Sequence, residues 1–290
     1  YIKIKKMDMK DTILFGDCRK TISTITEPVK MCVTSPPYYG LRDYGGEENQ
    51  IGMEESPEKY VEQLVDVFRS VREVLTDDGT LWLNIGDSYY NYRSDGNYPK
   101  QTVSKTNQDL PSFSPVRGNK LEGYKSKDLI GIPWLLAFAL RKDGWYLRQD
   151  IIWNKPNPMP ESVRDRCTKS HEYIFLLSKS KNYYFDVDAI KESTIDGKGL
   201  KRKKSVWTVN TKPYKGTHFA TFPPELIEPC IKSGSQKGDI ILDPFMGSGT
   251  TGMVSKSLGR YYIGCELHES YGKLIQNRVS QYTINLEDFV

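Results

Sequence analysis

The segment Thr34-Ser35-Pro36-Pro37-Tyr38 contains residues that could hold a planar ring carrying an amino group. Each proline fixes φ and lacks a backbone N–H, so carbonyl groups beside the prolines remain to accept hydrogen bonds from another molecule. The Ser35 hydroxyl is a further acceptor, and the Tyr38 ring offers a flat apolar face. The pattern indicates a rigid turn that binds an amine-bearing base. The alternative is a structural Pro-Pro turn beside a core tyrosine.

This turn could activate an exocyclic amino group of cytosine or adenine. Such an amine is a poor nucleophile because its lone pair is delocalised into the ring. Two acceptors that take its hydrogens would turn the lone pair towards a methyl donor. A base reaches such a turn only by leaving the duplex stack, and stacking on an aromatic ring recovers about 1–3 kcal/mol per base.

A second segment, residues 240–252, runs from an apolar strand through a glycine-rich turn into a helix. Its Gly247-x-Gly249-x-x-Gly252 spacing lets the backbone approach a ligand, and the helix offers unpaired N–H groups. No lysine follows the glycines, so this is not a Walker A phosphate loop. Glu266, nineteen residues after Gly247, could accept hydrogen bonds from the ribose hydroxyls of an adenosine ligand. Taken alone, this pattern leaves a nicotinamide dinucleotide and an unrelated glycine turn open.

Composition excludes several classes of protein. The longest apolar run near the middle, residues 134–140, is far shorter than the roughly 20 residues of a membrane span, and the N-terminal residues show no secretory signal. The five cysteines form no CxxC pair, and the three histidines are dispersed. We therefore expect reduced thiols, no metal, no membrane partner and a cytoplasmic location.

Basic residues are concentrated in two stretches, although the net charge is only +4. Residues 88–127 hold seven basic side chains against three acids. The second stretch contains Lys198, Lys201, Arg202, Lys203 and Lys204. Both suit contact with a phosphate backbone, and both also suit a solvated surface loop.

Short apolar runs alternate with helical periodicity, which predicts an α/β sheet of mostly parallel strands. Strands are predicted at residues 12–15, 31–34, 80–85, 146–153, 173–178, 240–242 and 261–265. Helices are predicted at residues 57–75, closed by Asp77-Asp78-Gly79, and at 129–142, 224–232 and 251–258. Residues 88–127 and 191–216 have no clear period and read as irregular.

The order of these elements argues against a dehydrogenase. Only twenty-four residues follow Glu266, too few to complete a sheet, so the remaining strands must come from upstream sequence. The order is therefore permuted relative to a standard dinucleotide-binding domain.

The motifs, in this order, resemble those of the beta class of S-adenosylmethionine-dependent DNA amino-methyltransferases, which belong to restriction-modification systems. The matching segments are residues 14–18, 34–38, 153–157 with 171–174, 218–223, 243–251 and Glu266. The resemblance implies a circularly permuted Rossmann-like methyltransferase sheet, mostly parallel with an antiparallel hairpin, helices on both faces and inserted DNA-recognition segments. It implies S-adenosylmethionine as the cofactor and double-stranded DNA as the partner, with a restriction endonuclease acting on the same site as a further expected partner.

The resemblance also assigns roles to residues. In the turn, Ser35 and the Pro36 carbonyl would accept from the target amine, Pro37 would stiffen the chain, and Tyr38 would stack on the flipped base. The residues expected around the cofactor are Asp17, Cys18, His218, Phe219, Asp243, Phe245, Gly247, Ser248, Gly249, Thr250 and Glu266. Because the methyl group goes to a nitrogen with its own lone pair, no covalent intermediate is needed. Cys230, after a proline in a predicted helix, is therefore not expected to be a nucleophile.

Serine at the first position of the turn is associated with N4-cytosine in this family and aspartate with N6-adenine, so we predict cytosine and keep adenine as the alternative. The predicted catalytic domain comprises residues 1–87 and 128–290. Residues 88–127 are predicted to be an inserted DNA-recognition module, and residues 187–216 a second DNA-contacting segment. An NAD-dependent oxidoreductase and a non-catalytic DNA-binding module remain as other classes.

Overall fold

The computed structural model describes residues 8–41, 49–90, 120–212 and 222–280. Its strands are β1 Thr12–Phe15, β2 Val29–Thr34, β3 Leu75–Ile85, β4 Tyr146–Asn154, β5 His171–Ser178, β6 Glu192–Ser193, β7 Leu200–Lys201, β8 Val206–Thr208, β9 Ile240–Asp243 and β10 Tyr261–Glu266. Its α-helices are α1 Cys18–Thr21, α2 Pro57–Val74, α3 Ile132–Lys142, α4 Pro224–Gly234, α5 Thr250–Ser257 and α6 Gly272–Ser280. None of the helices in these ranges is long and apolar enough to cross a membrane.

Eight strands form one sheet in the order β1-β10-β9-β2-β3-β5-β4-β8. Neighbouring strands pair in parallel except on the two sides of β5, which is antiparallel to both β3 and β4. The prediction of a mostly parallel sheet with an antiparallel hairpin is therefore confirmed. The hairpin is β4 with β5.

The chain leaves β9 and β2 in opposite directions along the sheet. From β9 it continues through α5 to β10 on one side, and from β2 it continues through α2 to β3 on the other. Between these two adjacent strands lies the crevice where open α/β sheets bind ligands, at the carboxyl ends of the strands. The C-terminal third of the chain supplies β9 and β10, so the permuted order deduced from the sequence is present in the sheet.

Helices cover both faces of the sheet, as predicted. Helix α2 begins at Pro57 with the Ser56 hydroxyl accepting from the Lys59 N–H, and its apolar stripe packs with α3 into one buried cluster. Helix α4 and part of α5 pack against the opposite face in a second cluster around Trp82. Both faces of the central strands are apolar and buried, which is why these strands read as continuous apolar runs in the sequence.

Two details differ from the expectation. Helix α2 ends at Val74, and the Asp77-Asp78-Gly79 sequence lies within β3 rather than closing the helix. Within the stretch predicted to be irregular, residues 191–216, the described residues 191–212 are more regular than predicted, because Trp207 is buried and β8 pairs with β4 at the edge of the main sheet. A three-residue strand is too short to show alternation, and only its pairing with β4 defines it.

The two ends of the segment 88–127 meet at the surface of the sheet domain. The N–H of Tyr90 donates to the Asp128 carbonyl at 2.8 Å, and the Lys127 N–H donates to the Tyr90 carbonyl at 2.8 Å. Leu121 is buried, and its N–H donates to the Tyr90 hydroxyl at 2.8 Å. The described residues from 120 onwards therefore pack as part of the domain.

Candidate active site

A cavity opens at the carboxyl ends of β1, β2, β9 and β10, at the crevice between β9 and β2. Nine of the predicted site residues line it: Asp17, Cys18, Ser35, Pro36, Pro37, Tyr38, Phe245, Gly247 and Glu266. Asp243 ends β9, Ser248 and Gly249 belong to the glycine turn and Thr250 begins α5, and none of these four residues lines the cavity. His218 and Phe219 lie outside the described residues. The fold thus brings the two sequence segments, about 200 residues apart, to one cavity.

The glycine turn after β9 reverses direction over Gly247 and Gly249, whose φ angles are +51° and +82°. Gly249 is the N-cap of α5 and packs so closely on α6 that a Cβ atom there would lie 2.9 Å from Ile275 Cγ2. Side chains other than glycine are strained at such φ values and would collide at this position. The turn is therefore held against α6 and leaves its other side facing the cavity.

Glu266 at the end of β10 lines the cavity with both carboxylate oxygens already accepting backbone hydrogen bonds. Its Oε2 accepts from the Gly247 N–H at 2.9 Å, and its Oε1 accepts from the His268 N–H at 3.0 Å. Burial raises the pKa of Glu266 to about 7. A carboxylate has about four acceptor positions, so two remain to accept from a ligand's vicinal hydroxyls.

Asp243 at the end of β9 is 2% exposed and lies below the turn. Its Oδ1 accepts from the Thr34 hydroxyl at 2.6 Å and from the Phe245 N–H at 3.0 Å, and its Oδ2 accepts from the Thr251 hydroxyl at 2.6 Å. Burial raises the pKa of Asp243 to about 6, against the hydrogen bonds it accepts. Its contacts make it a link between β2, the turn and α5.

Asp17 lies after β1 and is the N-cap of α1. Its Oδ1 accepts from the Arg19 N–H at 3.0 Å, and its carboxylate also pairs with the Arg19 guanidinium, 2.8 Å from Oδ2 to Nη2. Burial would raise the pKa of Asp17, but Arg19 outweighs it and the pKa is lower than usual. An ionised carboxylate therefore borders the cavity at this end.

Two backbone carbonyls of the Ser35–Tyr38 turn already accept hydrogen bonds from within the protein. The Pro37 carbonyl accepts from the Tyr60 hydroxyl at 2.7 Å, and the Tyr38 carbonyl accepts from the Leu41 N–H at 3.2 Å. In the described ranges no donor bonds the Pro36 carbonyl, the one that the sequence predicts to accept from the amine. Tyr60 is fully buried on α2 and was not identified from the sequence, because it belongs to that helix's apolar stripe.

A polar cluster around Tyr38 lies on the other side of the turn. The Tyr38 hydroxyl donates to Glu172 Oε2 at 2.7 Å, and Glu172 Oε1 accepts from Lys155 Nζ. Asn84 Nδ2 also donates to Glu172 Oε2, at 3.3 Å. Burial raises the pKa of the Tyr38 hydroxyl well above its usual value, and the Glu172 charge adds to this effect, so the phenol keeps its proton. The sequence analysis identified Glu172 only as part of the matching segment 171–174.

The basic residues of the second stretch are not equivalent. Lys198, Arg202 and Lys204 are exposed and Lys201 is half-buried. Lys203 is bound to Glu192, with 2.7 Å from Nζ to Oε1, and its ammonium lies 5.1 Å from the centre of the Trp207 ring. Four of the five residues can therefore meet a phosphate, whereas Lys203 is held by the protein.

Cys230 is not placed to act as a nucleophile. Cys230 is buried in α4, its thiol lies 3.7 Å from the Leu226 carbonyl, and burial raises its pKa, so no thiolate is available. Within the residues that the structure describes, no group of three or more His, Cys, Asp or Glu side chains could hold a metal ion.

Comparisons with known proteins show the family to which the chain belongs. The profile of a protein family described as DNA methylase, of the N6/N4 type, matches residues 29–277. Type II methyltransferase M.SmaI of Serratia marcescens is 52% identical over 269 residues, which cover 92% of this chain and 90% of that protein. Type II methyltransferase M.Cfr9I of Citrobacter freundii is 50% identical over 276 residues, covering 95% and 89%.

Solved structures share the fold. The PvuII DNA methyltransferase (cytosine-N4-specific) superposes with a TM-score of 0.67 at 17% identity, covering 92% of this chain and 85% of that one. The putative DNA modification methylase TTHA0409 of Thermus thermophilus, solved in complex with S-adenosyl-L-methionine, superposes with a TM-score of 0.63 at 23% identity, covering 93% of each chain. Both neighbours carry a sheet of this kind.

Proposed function

Because the chain belongs to the N6/N4 DNA methylase family and is a DNA methyltransferase, we propose that it transfers the methyl group of S-adenosylmethionine to the exocyclic N4 amine of a flipped cytosine. The observation that carries the proposal is the shared cavity. Ser35 and the Pro36 carbonyl border the same space as Gly247 and Glu266. An amine held by the first pair would face a cofactor held by the second.

The residues around the glycine turn fit S-adenosylmethionine. Glu266 has two acceptor positions left for ribose hydroxyls, Phe245 offers an apolar surface, and Asp17 adds an ionised acceptor to the cavity lining. When bound there, S-adenosylmethionine supplies an electrophilic methyl group on a sulfonium. Gly247 allows the backbone to approach the ligand because it has no side chain.

The turn's role follows from its acceptors. Ser35 Oγ and the Pro36 carbonyl would each accept a hydrogen from the amine, which orients the nitrogen lone pair towards the cavity. S-adenosylmethionine held there would supply the methyl group and leave as the neutral thioether, while Ser35 Oγ and the Pro36 carbonyl hold the amine, whose displaced proton would pass to water. The Tyr38 ring would stack on the base and hold its plane.

The choice of cytosine rests on Ser35. In the family that this chain resembles, serine at the first position of the turn is associated with cytosine and aspartate with adenine. Residue 35 is a serine, whose hydroxyl is neutral. The geometry of two acceptors would also fit the N6 amine of adenine. Cytosine N4 is therefore the proposal and adenine N6 is its direct competitor.

The test identifies the product. The protein is incubated with S-adenosylmethionine and unmethylated bacterial DNA, which is then digested to nucleosides for mass spectrometry. N4-methylcytosine is the expected product. Formation of N6-methyladenine would overturn the choice of base but would be consistent with the proposed mechanism. Absence of any methylated nucleoside, in protein that binds the cofactor, would favour a non-catalytic DNA-binding module.

We also propose that residues 88–127 and 187–216 contact the DNA and that a restriction endonuclease acting on the same sequence accompanies the enzyme, as expected from the Type II relatives. The catalytic domain would then comprise residues 1–87 and 128–290. Because residues 120–127 pack with the domain, the test replaces only residues 91–119 by a short linker. If the shortened protein is stable and its site preference is unchanged, residues 88–127 do not take part in recognition of the DNA sequence.

A further inference from the structure

Three elements converge on the carboxylate of Glu172. The Tyr38 hydroxyl comes from the turn after β2, Asn84 comes from β3, and Lys155 follows β4, while Glu172 itself lies near the start of β5. Both oxygens are used as acceptors. The side chains of Glu172 and Lys155 are only 14% and 16% exposed, so the pair is largely withdrawn from water.

A buried carboxylate is costly unless a cation and further donors satisfy it. Lys155 supplies the cation, and its ammonium is itself fixed 4.2 Å from the centre of the Trp153 ring. Asn84 is 4% exposed, and its Nδ2 also donates to the Tyr173 carbonyl at 3.1 Å. Lys155 and Asn84 therefore hold the Glu172 carboxylate in place independently of Tyr38.

The Tyr38 ring is confined as well. Gly86 lies so close to it that a Cβ atom there would be 2.7 Å from Tyr38 Cε2 and 3.3 Å from the Glu172 carboxylate carbon. A tyrosine side chain has two torsion angles. The contact at the ring edge and the hydrogen bond at the hydroxyl together fix both angles, and therefore fix the plane of the ring.

We propose that Glu172 is a positioning residue for methyl transfer: by accepting from the Tyr38 hydroxyl, it sets the ring plane on which the target base stacks. The inference rests on the proposed function, because it assumes that Tyr38 stacks on the base. Glu172 does not line the cofactor cavity, so its effect is on the base and not on cofactor binding.

The proposal differs from a merely structural ion pair in one measurable respect. If Glu172 only stabilised the ends of β4 and β5, losing it would lower the rate by the same factor whether or not residue 38 has a hydroxyl. If Glu172 acts through that hydroxyl, its loss has little effect once the hydroxyl is gone. A double-mutant cycle separates the two.

The variants are Tyr38→Phe, Glu172→Gln and the double variant. Phenylalanine keeps the ring and removes the hydroxyl. Glutamine keeps the size of the side chain but has one acceptor oxygen for the three donors that a carboxylate serves. Glu228→Gln is the matched control, because Glu228 pairs with Lys232 on α4, in an ion pair away from the site.

Single-turnover methyl transfer is measured together with the equilibrium affinities for DNA and S-adenosylmethionine. We expect Tyr38→Phe to lower the transfer rate about tenfold and Glu172→Gln about 10- to 100-fold, as misplacement of a reacting group does. We expect the double variant to be within about threefold of the slower single variant. The cofactor affinity and the Glu228→Gln rate should stay at the wild-type values.

The inference would be overturned if the double variant slowed transfer by the product of the two single-variant factors. A wild-type transfer rate in Tyr38→Phe would also overturn it. Should Glu172→Gln fail to fold, Glu172→Asp replaces it, since aspartate keeps a charge for Lys155 but is one methylene shorter and retreats from the hydroxyl. It should slow transfer when residue 38 is tyrosine and not when it is phenylalanine. A wild-type chain that forms no methylated nucleoside would instead overturn the proposed function, and this inference with it.

Discussion

The hydroxyl of Thr34 donates a 2.6 Å hydrogen bond to Oδ1 of Asp243, a residue 209 positions later in the chain. Thr34 ends β2 and immediately precedes the turn that holds Ser35, while Asp243 ends β9 and immediately precedes the glycine turn. Thr251 on α5 donates to the other oxygen at 2.6 Å. One buried carboxylate thus fixes the Ser35–Tyr38 turn relative to the glycine turn.

Removing this hydrogen bond should destabilise the fold. Thr34→Val keeps the shape of the side chain but leaves Oδ1 of the buried Asp243 with only the Phe245 N–H. We expect the free energy of unfolding to fall by about 1–3 kcal/mol in a urea titration, because a buried acceptor loses its partner. Thr208→Val is the control, since the Thr208 hydroxyl accepts from Asn154 at an exposed position of β8. Equal effects of the two substitutions would contradict the role of the Thr34–Asp243 bond.

Asp243 should make stability depend on pH. Its pKa is raised from 3.8 to about 6 in the folded state, so the folded protein binds more protons than the unfolded chain between these values. The contribution is fully present below pH 3.8 and is lost as pH rises through about 6, and it amounts to at most about 3 kcal/mol. Urea titrations of the wild type and of Asp243→Asn at several pH values measure it. If the free energy of unfolding of the two proteins changed with pH in the same way between about pH 4 and 6, Asp243 would not have a raised pKa.

Cofactor binding should depend on the ionisation of Glu266. Burial raises its pKa to about 7, and the ionised form is the one that accepts from both ribose hydroxyls without giving up an acceptor to a proton. We expect the affinity for S-adenosylmethionine to be full at about pH 8 and to fall about tenfold by about pH 6, since about one carboxyl in ten remains ionised one unit below its pKa.

Calorimetric titration of the wild type and of Glu266→Gln checks this. Glu266→Gln should bind weakly at both pH values, because glutamine has one acceptor oxygen where Gly247 and His268 each donate to the carboxylate. Glu269→Gln, an exposed neighbour, is the control and should keep the wild-type profile. An affinity that is independent of pH in the wild type would show that Glu266 is not the ribose acceptor.

Ser35→Ala should slow methyl transfer without unfolding the protein. Alanine removes one of the two proposed acceptors of the amine and leaves the Pro36 carbonyl in place. We expect a loss of about 10²–10³ in kcat, the range seen when one stabilising hydrogen-bonding group is removed from an active site. Ser257→Ala on α5 is the control, because its hydroxyl donates to the Val254 carbonyl within the same helix, near the surface. Equal methylation by Ser35→Ala and the wild type would remove Ser35 from the mechanism.

Lys203 and Lys204 should behave differently although they are adjacent. Lys204→Met removes an exposed charge and should weaken binding to all DNA sequences alike, reducing the slope of log affinity against log salt by about 0.9 if it meets one phosphate. Lys203→Met breaks the pair with Glu192 and should lower the melting temperature with a smaller change in the salt slope. Filter binding at several salt concentrations and thermal unfolding separate the two. The reverse pattern would place Lys203, and not Lys204, on the DNA.

The sequence by itself determined most of the longer elements, their order and the positions of the two turns. Seven strands and four helices were predicted close to where the structure has them, because apolar periodicity and the Gly and Pro residues that end an element are local properties. The permuted order and the spacing from Gly247 to Glu266 were also legible, since each depends only on position along the chain. The short strands β6, β7 and β8 and the helices α1 and α6 were not predicted, and strands of two or three residues are too short to show a period.

Only the tertiary structure decided which contacts each side chain of the site makes. It places Asp243 beneath the cavity as a link to Thr34 and occupies the Pro37 carbonyl with the Tyr60 hydroxyl. It also joins Tyr38 to Glu172, 134 positions away. Each of these contacts depends on which residues of separate elements meet in three dimensions. No local pattern encodes that meeting, because hydrogen-bond partners are chosen by the packing of the sheet and its helices and not by their distance along the chain.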